Sequence, residues 1–360
     1  MKKIILSIAA VAALAACTKS EVQYEQPSEI GFTPVTKMNT KVAVADNKYP
    51  EGLELYIFAN AGDPSAAVSA YTPYFRNGQF KHKAGGVFSG QPTPYYWPNV
   101  KKLIFSGYSN SGNVSTTNPR YEYFLGDGTK PAEWQIKLDA YAPGAGTASE
   151  GSNDLMWFPT TRPYAKSDDR GKEWESPVTD VDTDINVLMK HACAWVTIKM
   201  KGDNVTGGTN PWKITNLSIL ELAESGNVAL GAEAIWTLGA DTPVYPFYTT
   251  GVELSTDEKD FTRMDIKDLI VIPQDNKTLR VSYSFVSQAA VGTEGDPGYV
   301  PAIVIDEIID IPLPATDNEW VAGKHYTYTI TLTAEEILVE PTVNDWTNET
   351  QSVVFPTPGA

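Results

Sequence analysis

The residue whose neighbours most clearly predict chemistry is Cys17. Lys2 and Lys3 precede an apolar run from Ile4 to Leu14, which ends in Leu14-Ala15-Ala16-Cys17. A basic start, a short apolar run and small residues are typical of a secretory signal peptide, and small residues before a cysteine resemble a bacterial lipobox. The run is shorter than the roughly 20 residues that span a bilayer. We therefore predict a lipoprotein signal peptide at 1–16, acylation of the Cys17 sulfur by a lipid such as palmitate, and a lipid anchor at the outer membrane and cell surface.

The remaining thiol and the histidines suggest structural roles. Cys193 lies in the apolar segment His-Ala-Cys-Ala-Trp-Val and is expected to be a buried small side chain. His82, His191 and His325 have no partner at a spacing typical of metal ligands. No nucleophile elbow, phosphate loop or dinucleotide fingerprint occurs. The sequence therefore predicts no enzyme, no catalytic residue and no cofactor.

One acidic segment has the spacing of a calcium loop. Asp180, Asp182 and Asp184 match its first three ligand positions. Ile185 stands where an EF-hand requires glycine, and His191 stands where it requires a bidentate glutamate. An EF-hand is excluded, and we predict no metal site.

The net charge narrows the classes of partner. Without residues 1–16 the chain has 26 basic and 44 acidic residues, a net charge of −18. A surface this acidic repels the phosphate backbone, so nucleic acid is not an expected partner.

The pattern of short apolar runs predicts an all-β protein. Prolines and glycines are spread along the chain between runs rich in Val, Ile, Tyr, Phe and Thr. In His325 to Thr333, aromatic and aliphatic residues alternate with threonines, as on a half-buried strand. We predict few short helices and two tandem antiparallel β-sandwich domains of the transthyretin-like or Greek-key type. The predicted divisions are a tether at 17–28, an N-terminal domain at 29–183 and a C-terminal domain at 184–360.

Five phrases, in order along the chain, resemble the fimbrillin family of FimA/Mfa-like type V pilus subunits from Bacteroidales. They are Ile30-Gly31-Phe32, Tyr95-Tyr96-Trp97-Pro98, Asp154-Leu155-Met156 followed by Val187 to Ala192, Leu269 to Gln274, and Trp320 to Tyr328 closing with Val343-Asn344-Asp345-Trp346. The resemblance covers nearly the whole mature chain.

The resemblance implies assembly by donor-strand exchange, in which an N-terminal strand is cleaved off and a neighbouring subunit fills its groove. The leaving strand would be Glu29 to Val35, with Ile30, Phe32 and Val35 as its apolar residues. The donor would be the tail 347–360, with Val353, Val354 and Phe355. Processing in that family usually follows an arginine, but none precedes Arg76. Either Lys37, Lys41 or Lys48 is the cleavage site, or the segment is not cleaved.

These observations favour two functions over a third, a lipid-anchored hydrolase, for which no nucleophile or metal set emerges. The first is a structural or accessory subunit of a type V-like pilus, at its anchor or tip, that contributes to adhesion on host or bacterial surfaces. Its partners would be other pilus subunits in a head-to-tail polymer. The short tail, broken by Pro356 and Pro358, favours the anchor or tip position. The alternative is a surface glycan-binding lipoprotein for polysaccharide uptake, in which aromatics such as Tyr95, Tyr96, Trp97, Trp157 and Trp236 would stack on sugars rather than fill cores.

Overall fold

The computed structural model confirms the all-β prediction. It describes residues 29–38, 43–45, 52–83, 86–98, 101–110, 119–143, 154–164, 185–202, 212–261, 269–288, 290–315, 318–333 and 337–345. These residues form 25 strands, a short 3-10 helix at Val68–Ala70 and no α-helix. A membrane-spanning helix is accordingly not found in the described part of the chain.

Nine strands precede the predicted domain boundary. They are β1 (Gly31–Met38), β2 (Ala43–Ala45), β3 (Glu54–Gly62), β4 (Thr72–Lys83), β5 (Val87–Gly90), β6 (Lys102–Asn110), β7 (Arg120–Phe124), β8 (Glu133–Tyr141) and β9 (Leu155–Phe158).

Sixteen strands follow the predicted boundary. They are β10 (Ile185–Leu188), β11 (Lys190–His191), β12 (Ala194–Gly202), β13 (Lys213–Ala223), β14 (Gly226–Leu230), β15 (Ala234–Leu238), β16 (Asp241–Tyr248), β17 (Val252–Glu253), β18 (Lys259–Asp260), β19 (Leu269–Val271), β20 (Gln274–Asp275), β21 (Thr278–Gln288), β22 (Ile303–Pro312), β23 (Glu319–Trp320), β24 (Lys324–Leu332) and β25 (Ile337–Asp345).

The largest sheet has nine strands in the order β10-β1-β5-β4-β3-β6-β9-β11, with β2 paired to β1. One face packs Phe32, Leu55, Ile57, Phe80 and Phe105 into a buried cluster. The opposite face contributes Phe58, Tyr108 and Trp157 to a second cluster. Both faces of this sheet are therefore covered, and its central strands are apolar over most of their length.

A second sheet crosses the predicted boundary between residues 183 and 184. Its order is β15-β14-β8-β7, so a hairpin from the C-terminal part of the sequence extends a sheet begun by the N-terminal part. The Trp157 indole N–H donates to the Gly231 carbonyl at 3.0 Å, at the turn of that hairpin. The strands β10 and β11 also belong to the nine-stranded sheet. The two-domain division stays a prediction, and the sheets join residues from both sides of it.

The C-terminal strands form two five-stranded sheets around a third buried cluster. Their orders are β18-β12-β24-β25, with β19 on β12, and β16-β13-β21-β22, with β17 on β13. Trp320 is fully buried in this cluster and its indole N–H donates to the Tyr328 hydroxyl at 2.9 Å. A two-stranded sheet, β20 with β23, positions Trp320.

The predicted antiparallel arrangement holds for every described strand pair except two. The pairs β1–β10 and β12–β24 are parallel. Parallel pairs favour strands that are buried on both faces, and β12 is buried at seven of its nine positions. Alternation alone does not distinguish the direction of a neighbouring strand, which explains why the sequence pattern did not predict these pairs.

We expect Trp157→Phe to weaken the link between the nine-stranded sheet and the β14–β15 hairpin. The substitution keeps an aromatic ring but leaves the buried Gly231 carbonyl without its donor. The free energy of unfolding should fall by about 1–3 kcal/mol in urea denaturation. Trp97→Phe, at a half-buried site, serves as the matched control and should change it less. Equal losses in both variants would contradict the role given to this hydrogen bond.

Cys193 lies in the second cluster with no exposed surface. Burial, and then the nearby Asp154 carboxylate, raise the pKa of its thiol well above the ordinary value of 9.0. In a chain carrying Cys17→Ser, we expect no reaction with a thiol reagent in the folded state and one equivalent in urea. Above about pH 9 the unfolded thiol ionises while the folded thiol does not, so Cys193 should make the free energy of unfolding fall as pH rises.

The control for this prediction is Cys193→Ala in the same background. It should abolish the reaction in urea and flatten the decrease of stability above about pH 9. Rapid modification of Cys193 in the folded protein would show that the thiol is accessible and would contradict the burial.

Candidate functional site: the N-terminal strand and its groove

The strand β1 lies inside the nine-stranded sheet, between β5 and β10. It pairs antiparallel with β5 through Gly31↔Ser89 and Phe32↔Phe88. On its other side it runs parallel to β10, from Phe32↔Ile185 to Val35↔Leu188. Just before the strand, the Ile30 backbone N–H donates to the Tyr95 carbonyl at 2.7 Å. The predicted strand Glu29 to Val35 thus corresponds to β1, shifted by a few residues.

Phe32 anchors β1 in an aromatic cluster. Its ring meets Phe80 edge-on at 5.1 Å and Phe105 at 5.2 Å between centroids, and lies 5.9 Å from Phe158. Ile30 and Phe32 are both fully buried. Burying a side chain of this size stabilises the fold by about 1.5–3 kcal/mol, and aromatic contacts add about 0.5–1.5 kcal/mol.

The local sequence suits this insertion. Ile30 and Phe32 are separated by one residue, which places both side chains on the core face of an extended segment. Pro34 has no N–H to donate, and it falls between the part of β1 that pairs with β5 and the part that pairs with β2. The missing donor therefore interrupts neither antiparallel ladder.

Taking β1 out of the sheet would uncover a groove with two unpaired edges. One wall is β5, and the floor contains Phe80, Phe105 and Phe158. The other wall is β10, whose sheet partner in the described residues is β1 itself. Such a groove combines an apolar floor with unpaired backbone N–H and C=O groups, which is the chemistry that accepts an extended strand.

Several predicted site residues can be placed only in part. Lys37 belongs to β1 and pairs with Val44 of β2. Lys41, Lys48 and Cys17 lie outside the described residues, as do the side chain of Val35 and the tail residues Val353, Val354 and Phe355. The structure therefore brings together Ile30 and Phe32, with Lys37 near the end of the same strand. The cleavage, lipidation and donor sites stay predictions.

The sequence pattern did not identify the phenylalanines that surround β1, which are Phe80, Phe88, Phe105 and Phe158. They come from four separate strands, β4, β5, β6 and β9, and only their pairing brings them together. One sequence feature did indicate part of this core. It is the short apolar run Leu155-Met156-Trp157-Phe158, and all four of its residues are buried.

The three histidines have structural contacts. His191 Nδ1 lies 2.6 Å from the Asp154 Oδ2 atom, and both residues are buried. The His325 ring stacks on Trp195 at 3.4 Å, and His82 packs against Phe88 at 4.9 Å. A cluster of three or more His, Cys, Asp or Glu residues suited to a metal ion does not occur in the described part of the chain.

The aromatics named for glycan stacking differ in exposure. Trp157 is buried, and Trp236 is half-buried, with its indole N–H donating to the Ala192 carbonyl at 2.8 Å. The Tyr95 ring packs on Phe75 and Phe80. Tyr96, by contrast, is 41% exposed. Most of this set therefore serves as core.

Comparison with solved structures identifies similar folds throughout. A fimbrial protein from Bacteroides vulgatus ATCC 8482 is 14% identical, with a TM-score of 0.58 over 89% of this chain and 99% of its own. A candidate cell adhesion protein from Bacteroides uniformis ATCC 8492 is 16% identical, with a TM-score of 0.51 and the same coverage. Another from Bacteroides ovatus ATCC 8483 is 13% identical, with a TM-score of 0.50 over 89% of this chain and 98% of its own.

No curated protein matches the chain in sequence. The sequence model described as fimbrillin-like matches residues 40–346, which is most of the chain. A match to a fimbrillin-like family supports the role of a pilus subunit at the cell surface. The resemblance inferred from the sequence is therefore confirmed, and the chain belongs to the fimbrillin-like family.

Proposed function

We propose that this chain is a pilus subunit in which β1 is a replaceable strand. The buried Phe32 in its aromatic cluster is the observation that carries the proposal. Proteolysis after a lysine downstream of Phe32 separates β1 from the rest of the chain. An extended strand from a neighbouring copy then takes its place between β5 and β10.

The incoming strand has to meet three requirements of the groove. It supplies backbone N–H and C=O groups to β5 and β10, and it places an apolar side chain where Phe32 packs. Alternate residues of a strand point to one face, so side chains two apart enter the groove. Val353 and Phe355 of the C-terminal tail have this spacing.

Strand donation of this kind is heterologous, because the groove and the donor are different surfaces. Such a contact repeats without closing and builds an open filament. Before cleavage, β1 fills its own groove and the subunit has no vacant site. Removal of β1 therefore acts as the trigger for assembly.

The N-terminus determines where assembly occurs. Lipidation of Cys17 holds the precursor at the outer membrane. After cleavage at Lys37, Lys41 or Lys48, the exchange of β1 for an incoming strand frees the subunit from that anchor. A copy that keeps its N-terminal segment stays attached and serves as an anchor or accessory subunit. The role is structural and adhesive rather than enzymatic.

Glycan binding is the weaker alternative. Of the five aromatics on which it depended, Trp157 is buried and Tyr95, Trp97 and Trp236 are at most half exposed. Sugar stacking requires an accessible ring face, which leaves Tyr96 as the exposed member of the set.

We expect the chain trimmed by a trypsin-like protease to form filaments visible by electron microscopy, whereas the untrimmed chain stays monomeric. In the trimmed chain, Val353→Asp combined with Phe355→Asp should abolish filaments, because two carboxylates would enter an apolar groove. Val354→Asp is the matched control. It adds one charge to the opposite face of the same tail and should leave assembly intact.

Three results bear against strand exchange by the tail. The trimmed wild-type chain could stay monomeric, which removes the polymerising role. Filaments could form equally well from the Val353→Asp, Phe355→Asp variant, which excludes this tail as donor. Equal inhibition by Val354→Asp would show that charge alone, rather than the face presented, controls assembly.

A further inference from the structure

The hairpin formed by β21 and β22 ends in an exposed apolar arm, defined here as residues 290–304. Fourteen of these residues are exposed, and Tyr299 is half-buried. Val291, Val300, Ile303 and Val304 are between 41% and 59% exposed. Val291 and Val300 hold the arm together through two backbone hydrogen bonds of 2.9 Å, which place their side chains next to each other.

The arm extends past the core of the C-terminal sheets. Phe285 and Ile305 form a partly buried pair of the hairpin, and Phe285 packs against the buried cluster. From the pair Val286↔Val304 to the bridge Val291↔Val300 the ribbon advances four residues, counted from Val304 to Val300, or roughly 13 Å. An isolated two-stranded ribbon is marginally stable in water, and clustered exposed apolar residues mark interaction sites.

The arm projects from the end of the C-terminal sheets that faces away from the N-terminal strands. Thr278 of β21 pairs with Leu220, near Leu222 and Ala223, while Ser284 pairs with Lys213 at the opposite end of β13. Pro143 of the N-terminal part lines a small cavity with Leu222 and Ala223. The arm therefore lies at an outer end of the subunit, where a second copy can reach it.

A matching surface lies in the N-terminal part. Tyr74 and Tyr96 are 40% and 41% exposed, and the Tyr74 hydroxyl donates to the Tyr96 carbonyl at 2.7 Å. Arg76, two residues beyond Tyr74 in β4, is also exposed. Tyrosine and arginine are enriched at protein interfaces. The arm carries two exposed carboxylates, Glu294 and Asp296, of opposite charge to Arg76.

The distribution of charge favours contact between unlike ends. Residues 29–184 carry 15 basic and 18 acidic residues, whereas residues 185–360 carry 10 basic and 24 acidic residues. The net charges are therefore −3 and −14. Two C-terminal parts repel each other strongly, and a C-terminal part meets less repulsion against the N-terminal part of another copy.

We propose that the arm of one copy packs on the surface of Tyr74, Arg76 and Tyr96 of the next copy. This proposal rests on the proposed pilus function. The contact adds a second site, besides the donated strand, to each junction between subunits. Like strand donation it joins different surfaces, so it is compatible with a head-to-tail filament. It would lengthen the lifetime of a junction by adding apolar contact away from the groove.

The test replaces Val300 with a photoreactive benzoylphenylalanine and maps the crosslinked peptides by mass spectrometry, in trimmed and untrimmed chain. The same replacement at Leu338, which is 44% exposed on β25, is the matched control. We expect Val300 to crosslink to residues 72–98 of another copy. Tyr74→Ser with Tyr96→Ser should reduce that product about tenfold, since the double variant removes both aromatic rings of the receiving surface.

Crosslinks from Val300 to residues 185–345 of another copy, or a yield no greater than that from Leu338, would overturn the proposal. An unchanged yield in the Tyr74→Ser, Tyr96→Ser variant would also overturn it. Far-ultraviolet circular dichroism confirms that the variants fold. Filament formation by the wild-type chain reports separately on strand exchange, so either proposal can fail while the other stands.

Discussion

The packing of Phe32 between two strand edges holds the N-terminal strand in the largest sheet. The Phe32 ring packs against aromatic rings of β4, β6 and β9. The backbone of β1 pairs with the edges of β5 and β10. The side chain and backbone contributions act at the same place. A strand that is cut free can therefore be replaced only by another strand that provides both.

The pairing of strand edges also joins the two parts of the chain on either side of residue 184. The β14–β15 hairpin extends the β7–β8 pair, and β10 and β11 close the two ends of the nine-stranded sheet. In each case a segment from beyond residue 184 pairs with strands from before it. Removing β1 would thus expose β10 as well as β5, which links the N-terminal segment to the region that leads into the C-terminal sheets.

The sequence was informative about local features and less so about long-range pairing. The alternation of Tyr326, Tyr328 and Ile330 predicted a core face that is buried, and Ile30 and Phe32, which the family resemblance named as apolar residues of a strand, are buried too. The parallel β1–β10 pair could not be predicted, because its partners are about 150 residues apart and alternation carries no strand direction. The Asp154–His191 contact was missed for the same reason, since the two residues meet only after β9 pairs with β11.

The most direct test of the replaceable strand is the number of N-terminal segments released for each subunit that enters a filament. The trimmed chain should retain its cleaved N-terminal segment until filaments form, and mass spectrometry can then count the free segment against the subunits incorporated. Strand exchange predicts one released segment per incorporated subunit, with none left in the filament. Filaments that keep the segment bound in equal numbers would contradict the account, because β1 would then still occupy the groove.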